Sequence, residues 1–247
     1  MIYFVHVSKT KKGDMNMSLN QFSRTELLIG KKGIKKLQKA KVAVFGIGGV
    51  GSYVVEGLAR AGVGHLILVD YDTYDITNIN RQLGALHSTI GKYKVDVMKE
   101  RILDINPNAI VEAYRPDEIE GGETAIVDAS ITYVVDAIDT MANKIKLIEK
   151  ANSENVKIIT ATGAGNKLDP TKFEITDIYK TSVCPVCKIL RKELKQRNIK
   201  KLKVLYSKEV PQKPETKGER TLGSVSFVPS VAGLIISGEV VKDIIKE

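Results

Sequence analysis

Residues 41–70 read KVAVFGIGGVGSYVVEGLARAGVGHLILVD. The stretch opens with an apolar segment typical of a buried strand and continues into the turn Gly46-Ile-Gly-Gly-Val-Gly51. A segment with helical spacing follows and stops at Gly62, and a second apolar strand ends on Asp70. Glycines allow a tight turn and a close approach of phosphate, whose charge the helix N-terminus stabilises. We therefore predict a strand–turn–helix–strand unit that binds a nucleotide.

Helices and strands are predicted to alternate as far as residue 165. Besides the unit above, the pattern predicts helices at 25–37, at 92–105 and between 139 and about 151, and strands at 110–114, 133–135 and 156–160. Such alternation favours a mostly parallel sheet with helices on both faces. The predicted fold class is α/β with Rossmann-like topology.

The pattern changes after residue 165. The predicted elements there are strands at 172–178, 203–206 and 224–228, a basic helix at 185–197 and a last helix at 229–245. We interpret this part as a mixed or antiparallel C-terminal extension of the sheet. The resulting domain prediction is a flexible extension at 1–17 and a single domain at 18–247, with a nucleotide-binding part at about 18–165 and a substrate-side part at about 166–247.

Composition places the 247-residue chain among ordinary globular proteins, with 43% hydrophobic and 27% charged residues. No apolar run approaches the roughly 18–20 residues that a membrane crossing requires, so we expect no membrane association. Lysines follow the short apolar start of the chain, which is the reverse of a secretory signal. Two cysteines do not make a disulfide framework, and the expected location is the cytoplasm.

The positive charge of the chain is concentrated in one segment. The net charge is +9, and residues 180–220 hold 13 Lys or Arg against four Glu, which equals that whole excess. A concentrated basic segment indicates a polyanionic partner, whereas a solvated basic loop is the alternative interpretation. Within it, Lys200, Lys201 and Lys203 cluster beside a predicted strand and are our candidates for contacts to RNA phosphates.

Polar residues follow three of the predicted strands, where an open parallel sheet forms its ligand crevice. Asp70 lies at the position of an acid that hydrogen-bonds a ribose hydroxyl, a feature that NAD would satisfy equally well. Arg81 and Lys94 come after the same strand, and Asp139 follows the strand at 133–135. Two cations suit the phosphates of a nucleoside triphosphate, and Asp139 suits Mg²⁺. Hydride transfer requires none of these three residues, so ATP is favoured over NAD.

These motifs together resemble the ubiquitin-activating-enzyme-like adenylyltransferases, which include the activators of molybdopterin and thiamine sulfur carriers. The resemblance rests on the GIGGVG unit, LVDYDTYDITNINRQ, GKYK and VVDAIDTMANK, and covers about residues 20–180. It implies catalytic roles for Arg81, Lys94 and Asp139, with Asp139 as the Mg²⁺ ligand. With the glycine turn included, the implied ATP contacts come from Gly46, Gly48, Gly49, Gly51, Asp70, Asn78, Arg81 and Lys94.

The N-terminal segment QFSRTELLIG extends this resemblance. It implies a homodimer and a fourth catalytic residue, Arg24, which would reach the phosphates of its own nucleotide or of the nucleotide in the partner subunit.

A narrower resemblance extends through most of the chain. The segments NRQ-x₄-HSTIGKYK, TGAGNKLDPTKFEITDIYKTSVCP and RKELKQRNIKKLKVLYSKE are similar to those of the tRNA threonylcarbamoyladenosine dehydratases. That family implies ATP-dependent adenylation of the threonylcarbamoyl carboxylate on an adenosine beside the anticodon, followed by cyclisation and release of AMP. The expected partner is therefore a tRNA that carries N6-threonylcarbamoyladenosine.

Two other functions and one other site remain possible from the sequence. The chain could activate a ubiquitin-like sulfur-carrier protein, or it could be a non-catalytic RNA-binding protein with a vestigial nucleotide fold. Sulfur-carrier activators bind zinc through two CxxC pairs, whereas this chain has only Cys184-Pro-Val-Cys187. We interpret these two thiols as incidental residues near a loop; a zinc site shared across a dimer, or a redox or acyl-transfer role, is the alternative.

Overall fold

The computed structural model describes residues 19–212 and 222–246. The extension predicted at 1–17 lies outside these residues. The described helices are α1 (Ser23–Lys39), α2 (Gly51–Ala61), α3 (Lys94–Ile105), α4 (Met141–Ser153), α5 (Pro185–Gln196) and α6 (Phe227–Lys246). The described strands are β1 (Lys41–Phe45), β2 (His65–Val69), β3 (Ile110–Tyr114), β4 (Tyr133–Asp136), β5 (Lys157–Ala161), β6 (Phe173–Asp177) and β7 (Lys203–Ser207).

Within the described residues the strands form one sheet in the order β3-β2-β1-β4-β5-β7-β6. Every neighbouring pair is parallel except β6 and β7, which are antiparallel. The predicted α/β fold and its antiparallel C-terminal extension are therefore confirmed. The strand order reverses between β1 and β4, and in open α/β sheets this point is where ligands bind.

Alternating side chains of the strands supply both faces of the sheet. In β1, Val42 and Val44 pack into the core under α1, α2, α3 and α6, whereas Ala43 and Phe45 pack on the opposite face under α4. The strands are apolar on both faces because both are covered, which is why they appear in the sequence as continuous apolar runs. None of the helices in the described ranges has both the length and the apolar content needed to cross a membrane.

The predicted strand at 224–228 is wrong, since residues 222–226 have no regular structure and α6 begins at Phe227. Pro229 stands in the first turn of the helix, where its missing N–H leaves no hydrogen bond unmade. Val228 is fully buried against the core, so the helix incorporates the apolar residues that the alternating pattern assigned to a strand. The other predicted elements are present, with ends that differ by a few residues.

The turn between β1 and α2 is too tight for side chains at two of its glycines. Gly46 has a φ of +84°, and a Cβ there would lie 2.6 Å from the carbonyl oxygen of Ala137. At Gly51, the first residue of α2, a Cβ would lie 1.8 Å from the carbonyl oxygen of Gly46. The start of the helix is therefore held directly against the end of the strand.

We predict that Gly51→Ala destabilises the protein by about 2 kcal/mol or more, because the turn must open to admit a methyl group. Gly238→Ala is the matched control, since nothing lies within 4 Å of a Cβ at that position of α6. It should be neutral or should stabilise by up to about 1 kcal/mol, owing to the higher helix propensity of alanine. Urea denaturation of both variants would measure the difference, and equal stabilities would contradict the close contact.

Candidate functional site

A cavity of about 680 Å³ lies at the carboxyl edge of the sheet, above the ends of β1, β2 and β4. Most of the residues that sequence analysis assigned to one site line it together: Gly46, Gly48, Gly49, Asp70, Asn78, Arg81, Lys94 and Asp139. Two others do not line it. Gly51 lies behind the turn as the first residue of α2, and Arg24 lies on α1.

Asp70 fastens the glycine turn to the end of β2. Its Oδ2 accepts a hydrogen bond of 2.6 Å from the backbone N–H of Ile47, and its Oδ1 accepts one of 2.8 Å from the N–H of Asp72. Burial raises the pKa of the Asp70 carboxyl, and the nearby charge of Lys94 opposes that rise. Asp70 is thus a buried structural anchor as well as a wall of the cavity.

The two predicted cations are held by the chain segment that follows β2. Lys94 is 4% exposed, and its Nζ donates to Asp72 Oδ2 over 2.6 Å. Arg81 Nη1 donates to the carbonyl oxygen of Thr77 and to Asn80 Oδ1, each over 2.9 Å. Both cationic groups are therefore oriented before any ligand binds, which lowers the cost of reorganisation.

Asn78 ends the short 3₁₀ helix Ile76–Asn78, whose N-terminal end is capped by two side chains. Asp75 Oδ1 accepts from the Thr77 N–H over 2.8 Å, and Asn78 Oδ1 accepts from the Asp75 N–H over 3.1 Å. This reciprocal capping fixes the loop that carries Arg81. Because Asp75 and Asn78 hydrogen-bond nearby backbone groups, the polar segment after β2 forms a turn and does not continue the strand.

Asp139 lies just beyond β4 and is exposed to the cavity. Its Oδ1 accepts a hydrogen bond of 3.2 Å from the hydroxyl of Thr140. Three residues earlier, fully buried Asp136 forms an ion pair with Lys144 of α4, with both oxygens 2.9 Å from Nζ. Burial raises the pKa of Asp136, and Lys144 opposes the rise. This buried pair joins α4 to the strand end that carries Asp139.

Several residues that line the cavity have no role predicted from the sequence: Gln82, Glu123, Asn143 and residues 222–224. Gln82 and Asn143 belong to motifs quoted above, so their presence in NRQ and DTMANK was a signal that could have been used. Glu123 comes from a turn without periodicity, and only the tertiary fold brings it here. Burial raises the pKa of its carboxyl.

Gln82 has one atom that the protein does not satisfy. Its side chain is 7% exposed, and its Oε1 has no hydrogen-bond partner among the described residues. A buried acceptor in the wall of a cavity is a position where a bound molecule or water can donate a hydrogen bond.

The three predicted RNA-contacting lysines lie at the opposite edge of the sheet from the cavity. Lys203 is the first residue of β7, which runs parallel to β5, so it lies at the amino ends of the parallel strands. Its Nζ lies 2.9 Å from Glu239 Oε1 and 2.5 Å from Asp243 Oδ2, so two acids on α6 balance its charge. Lys200 and Lys201 are exposed. Lys203 is therefore held in ion pairs within the protein, whereas Lys200 and Lys201 face the solvent.

Arg24 is exposed on α1 and lies outside the cavity of its own chain. Gly30, with a φ of +70°, interrupts α1 between Arg24 and the buried residues Ile34 and Leu37. Next to Arg24, Leu27 and Leu28 are 85% and 88% exposed. The predicted catalytic arginine therefore sits on an apolar external surface.

The cysteines belong to the core and not to a loop. Cys187 is fully buried and Cys184 is 4% exposed, both in a cluster formed by α4, α5 and β7. Among the described residues, no group of three or more His, Cys, Asp or Glu side chains could hold a metal ion.

Comparison with known proteins agrees with this geometry. Residues 22–247 match the model of the ThiF family. The chain is 45% identical over 244 residues to a tRNA threonylcarbamoyladenosine dehydratase of Bacillus subtilis, an alignment that covers 93% of this chain and 96% of that one. It is 38% identical over 175 residues to the dehydratase of Escherichia coli, covering 71% of this chain and 65% of that one.

A solved structure shows the same architecture. The Escherichia coli tRNA N6-threonylcarbamoyladenosine dehydratase in complex with ATP superimposes with a TM-score of 0.81 at 32% identity, covering 92% of this chain and 94% of that chain. Fold, cavity and sequence similarity over nearly the full length lead to one assignment. The chain belongs to the ThiF family and, within it, to the group of the tRNA threonylcarbamoyladenosine dehydratases.

Proposed function

We propose that this chain is an ATP-dependent tRNA threonylcarbamoyladenosine dehydratase. It would adenylate the carboxylate of the threonylcarbamoyl group of N6-threonylcarbamoyladenosine and then cyclise it, with release of pyrophosphate and AMP. One observation supports this most strongly: a glycine turn, two oriented cations and a free carboxylate line one cavity at the point where the strand order reverses. The relatives named above carry this activity in their names, and one was solved with ATP and with AMP.

The cavity fits ATP by its shape and by its polar groups. Gly46, Gly48 and Gly49 expose backbone where phosphates would approach, and α2 points its positive end toward them. A Cβ at Gly49 would lie 3.2 Å from Pro229 Cβ, which is a tight contact, so the bare turn leaves room for the start of α6. Asn78 would contact the phosphates, and Asp70 would accept from a ribose hydroxyl through lone pairs that its two backbone bonds leave free.

Arg81 and Lys94 would supply the charge that adenylation requires. The substrate carboxylate attacks the α-phosphorus, the bond to the β-phosphate oxygen breaks, and negative charge grows on the departing pyrophosphate. Lys94 can turn from Asp72, which is 46% exposed, to these oxygens, and Arg81 can donate from the other side. Because negative charge grows on the pyrophosphate as the bond breaks, the interaction of both cations with it strengthens toward the transition state.

Asp139 would hold Mg²⁺ together with phosphate oxygens. Magnesium commonly binds one or two carboxylates plus the phosphates of its substrate, and an exposed carboxylate at the cavity wall fits that mode. When bound, the ion neutralises charge on the phosphates and polarises the phosphorus that is attacked.

The second step requires positioning more than further chemical groups. The acyl adenylate is a mixed anhydride, and a nucleophile of the same side chain attacks its carbonyl carbon while AMP leaves. An intramolecular attack of this kind needs no cysteine nucleophile, provided that the two ends are held together. Ala164, Gly165 and residues 222–224 line the cavity, and we place the side chain of the substrate against them. The substrate side would then include residues 164–165 at the end of the nucleotide-binding part as well as residues 222–224.

The substrate can be identified by measuring pyrophosphate release from ATP. We expect release with tRNA that carries N6-threonylcarbamoyladenosine and none with unmodified tRNA, because only the former has the carboxylate. Release with a ubiquitin-like sulfur carrier in place of tRNA would instead show an activator of that class. If neither substrate causes ATP turnover but the protein binds RNA, the result would favour a non-catalytic RNA-binding protein with a vestigial nucleotide fold.

We predict that Lys94→Met lowers the rate of pyrophosphate release about 10²–10³-fold, the usual effect of removing one preorganised contact. Methionine replaces the buried aliphatic part of the lysine side chain, and Asp72, which loses its ion-pair partner, is half exposed. The melting temperature should therefore change little. Lys92→Met, at an exposed position two residues earlier and outside the cavity, is the matched control and should keep the parental rate. Arg81→Ala and Asp139→Ala should lose activity as Lys94→Met does. Near-parental rates in all three would refute this assignment.

We also propose that the enzyme is a homodimer in which Arg24 completes the site of the partner subunit. Arg24 does not line the cavity of its own chain, and exposed Leu27 and Leu28 adjoin it. Apolar side chains at such exposure favour burial against a second copy, at about 25 cal/mol for each Å² removed from water. The protein would work in the cytoplasm, where ATP and tRNA are available.

Mixing two inactive variants tests whether Arg24 acts across the interface. Arg24→Ala and Lys94→Met should each be inactive alone, but a heterodimer contains one site with both native residues. After subunits are exchanged at equal concentration, roughly a quarter of the parental sites should be restored. No recovery, although heterodimers are detected by native mass spectrometry, would place Arg24 in its own site or outside catalysis.

For the tRNA, we propose a basic surface that includes Lys200 and Lys201 and extends along α5. Lys188, Lys192 and Lys195 are exposed at spacings of four and three residues, which places them on one side of that helix. Because α5 begins beside the 163–165 turn and ends before β7, this side extends from near the cavity toward the amino edge. A tRNA is large enough to contact both ends of such a surface.

We predict that replacing Lys200 and Lys201 by Gln weakens tRNA binding and flattens its log–log dependence on salt by about 0.7–0.9 for each lost phosphate contact. Replacing Lys35 and Lys39, which are exposed on α1, by Gln provides a control with the same change in charge. Filter binding over a series of salt concentrations gives both quantities, and ATP affinity should remain as in the parent. Identical salt slopes for the two double variants would mean that the two lysines at the amino edge are only solvated.

A further inference from the structure

The two cysteines occupy positions at the start of α5 that bring their sulfurs together. Cys184 is the residue that caps the helix, Pro185 is its first residue, and Cys187 stands one turn further on. Both side chains are nearly or fully buried, and both belong to the same core cluster. Formation of an S–S bond of about 2 Å therefore needs only a local approach of two groups that are already neighbours.

The chain enters this motif through a strained turn. Val183 has a φ of +59°, which is rare for a β-branched residue. The backbone N–H of Cys184 donates to the carbonyl oxygen of Ser182 over 2.5 Å, which makes Ser182–Val183–Cys184 a γ-turn of the uncommon positive-φ kind. Strain of this kind persists only where the surroundings enforce it, and such sites are often functional. Val183 is 52% exposed, so Cys184 lies directly beneath a solvent-facing turn.

The two sulfurs differ in chemical character. The hydrogen bond from Cys187 lowers the pKa of the Cys184 thiol against the effect of burial, and backbone N–H groups at the start of α5 and the charge of Lys167 add to the lowering. The hydrogen bond to Cys184, together with burial, raises the pKa of the Cys187 thiol. One nucleophilic sulfur next to one protonated sulfur is the arrangement found in CxxC redox pairs at helix N-termini.

Both sulfurs also touch the turn that borders the cavity. A Cβ at Gly163 would lie 2.9 Å from Cys184 Sγ, so the glycine leaves room for that sulfur. Cys187 Sγ lies 3.2 Å from the hydroxyl of Thr162. Ala164 and Gly165, which follow Gly163 in the chain, line the cavity. Movement of either sulfur therefore acts directly on the wall of the candidate site.

We propose that Cys184 and Cys187 are a thiol–disulfide redox site that a small soluble disulfide oxidises, and that its state is coupled to the 162–165 turn. The pair is packed into a cluster of apolar residues, and the proposed chemistry of the enzyme uses neither thiol. The site does not depend on the function proposed above, because it requires neither ATP nor tRNA.

The exchange would proceed in two balanced steps. The Cys184 thiolate attacks one sulfur of the small disulfide, whose S–S bond breaks and releases one thiolate. Cys187 then loses its proton to solvent and attacks Cys184 Sγ, and the second small thiolate leaves. The protein loses two electrons and forms one S–S bond, while the small disulfide gains two electrons and becomes two thiols.

Oxidised glutathione is the probe for a direct test on the full chain. After incubation over a range of reduced-to-oxidised glutathione ratios, intact mass and peptide mapping should show complete, dithiothreitol-reversible conversion to the Cys184–Cys187 disulfide with the melting transition retained. Amide exchange at 162–165 should change by at least about fivefold between the two forms, whereas exchange in β2 should not.

Two single variants test the order of events. Cys187→Ser should stop at a mixed disulfide with glutathione on Cys184, and Cys184→Ser, which also places a good capping residue at the helix start, should not react. The proposal fails if the folded parent stays reduced in oxidised glutathione while the urea-unfolded chain reacts. It also fails if the disulfide forms without altering exchange at 162–165.

Discussion

The carbonyl oxygen of Gly46 lies where Gly51 would otherwise carry a side chain, and the whole site is arranged around that contact. It places the first turn of α2 against the end of β1, so that the positive end of the helix faces the cavity. Asp70 then binds the backbone of Ile47 and ties the turn to β2. A longer or bulkier turn would separate these elements, and the cavity would lose both its shape and its local positive potential.

The two cations that line the cavity, and the buried acid below it, have partners in the protein before any ligand enters. Lys94 is paired with Asp72, Arg81 is held by a carbonyl and an amide oxygen, and Asp136 is neutralised by Lys144 beneath the floor. Only Asp72 among these acids is substantially exposed, so Lys94 can exchange it for a phosphate at little desolvation cost. Among the described residues, both cations that line the cavity thus have oxygen partners that a polyanion can replace.

The two candidate binding regions, the cavity and the basic surface, lie at opposite edges of the sheet. The cavity lies at the carboxyl edge, whereas Lys200 and Lys201 lie at the amino edge, roughly 16 Å away along a five-residue strand. Helix α5 connects the two: it begins at the cysteine pair beside the 163–165 turn and carries exposed lysines toward the amino edge. One helix therefore links the wall of the cavity with the basic surface.

The sequence by itself determined the fold class and brought together most of the residues predicted for the cavity. Apolar runs ending in glycine or aspartate identify parallel strands, and the carboxyl ends of such strands must meet, which is why Asp70, Arg81, Lys94 and Asp139 could be assembled from local patterns alone. Local patterns contain no information on partners that are distant in the chain. Only the tertiary structure revealed that acids of α6 neutralise Lys203, because residues some 40 positions apart meet through packing.

The same limit explains the other differences. Glu123 reaches the cavity from a turn without periodicity, and Arg24 lies outside it at the exposed start of α1. The CxxC spacing was visible in the sequence, but its burial, its strained entry and its contact with Gly163 were not. Spacing along a chain determines which side chains share a strand end or a helix face, whereas burial and ion pairing arise only when separate elements pack together.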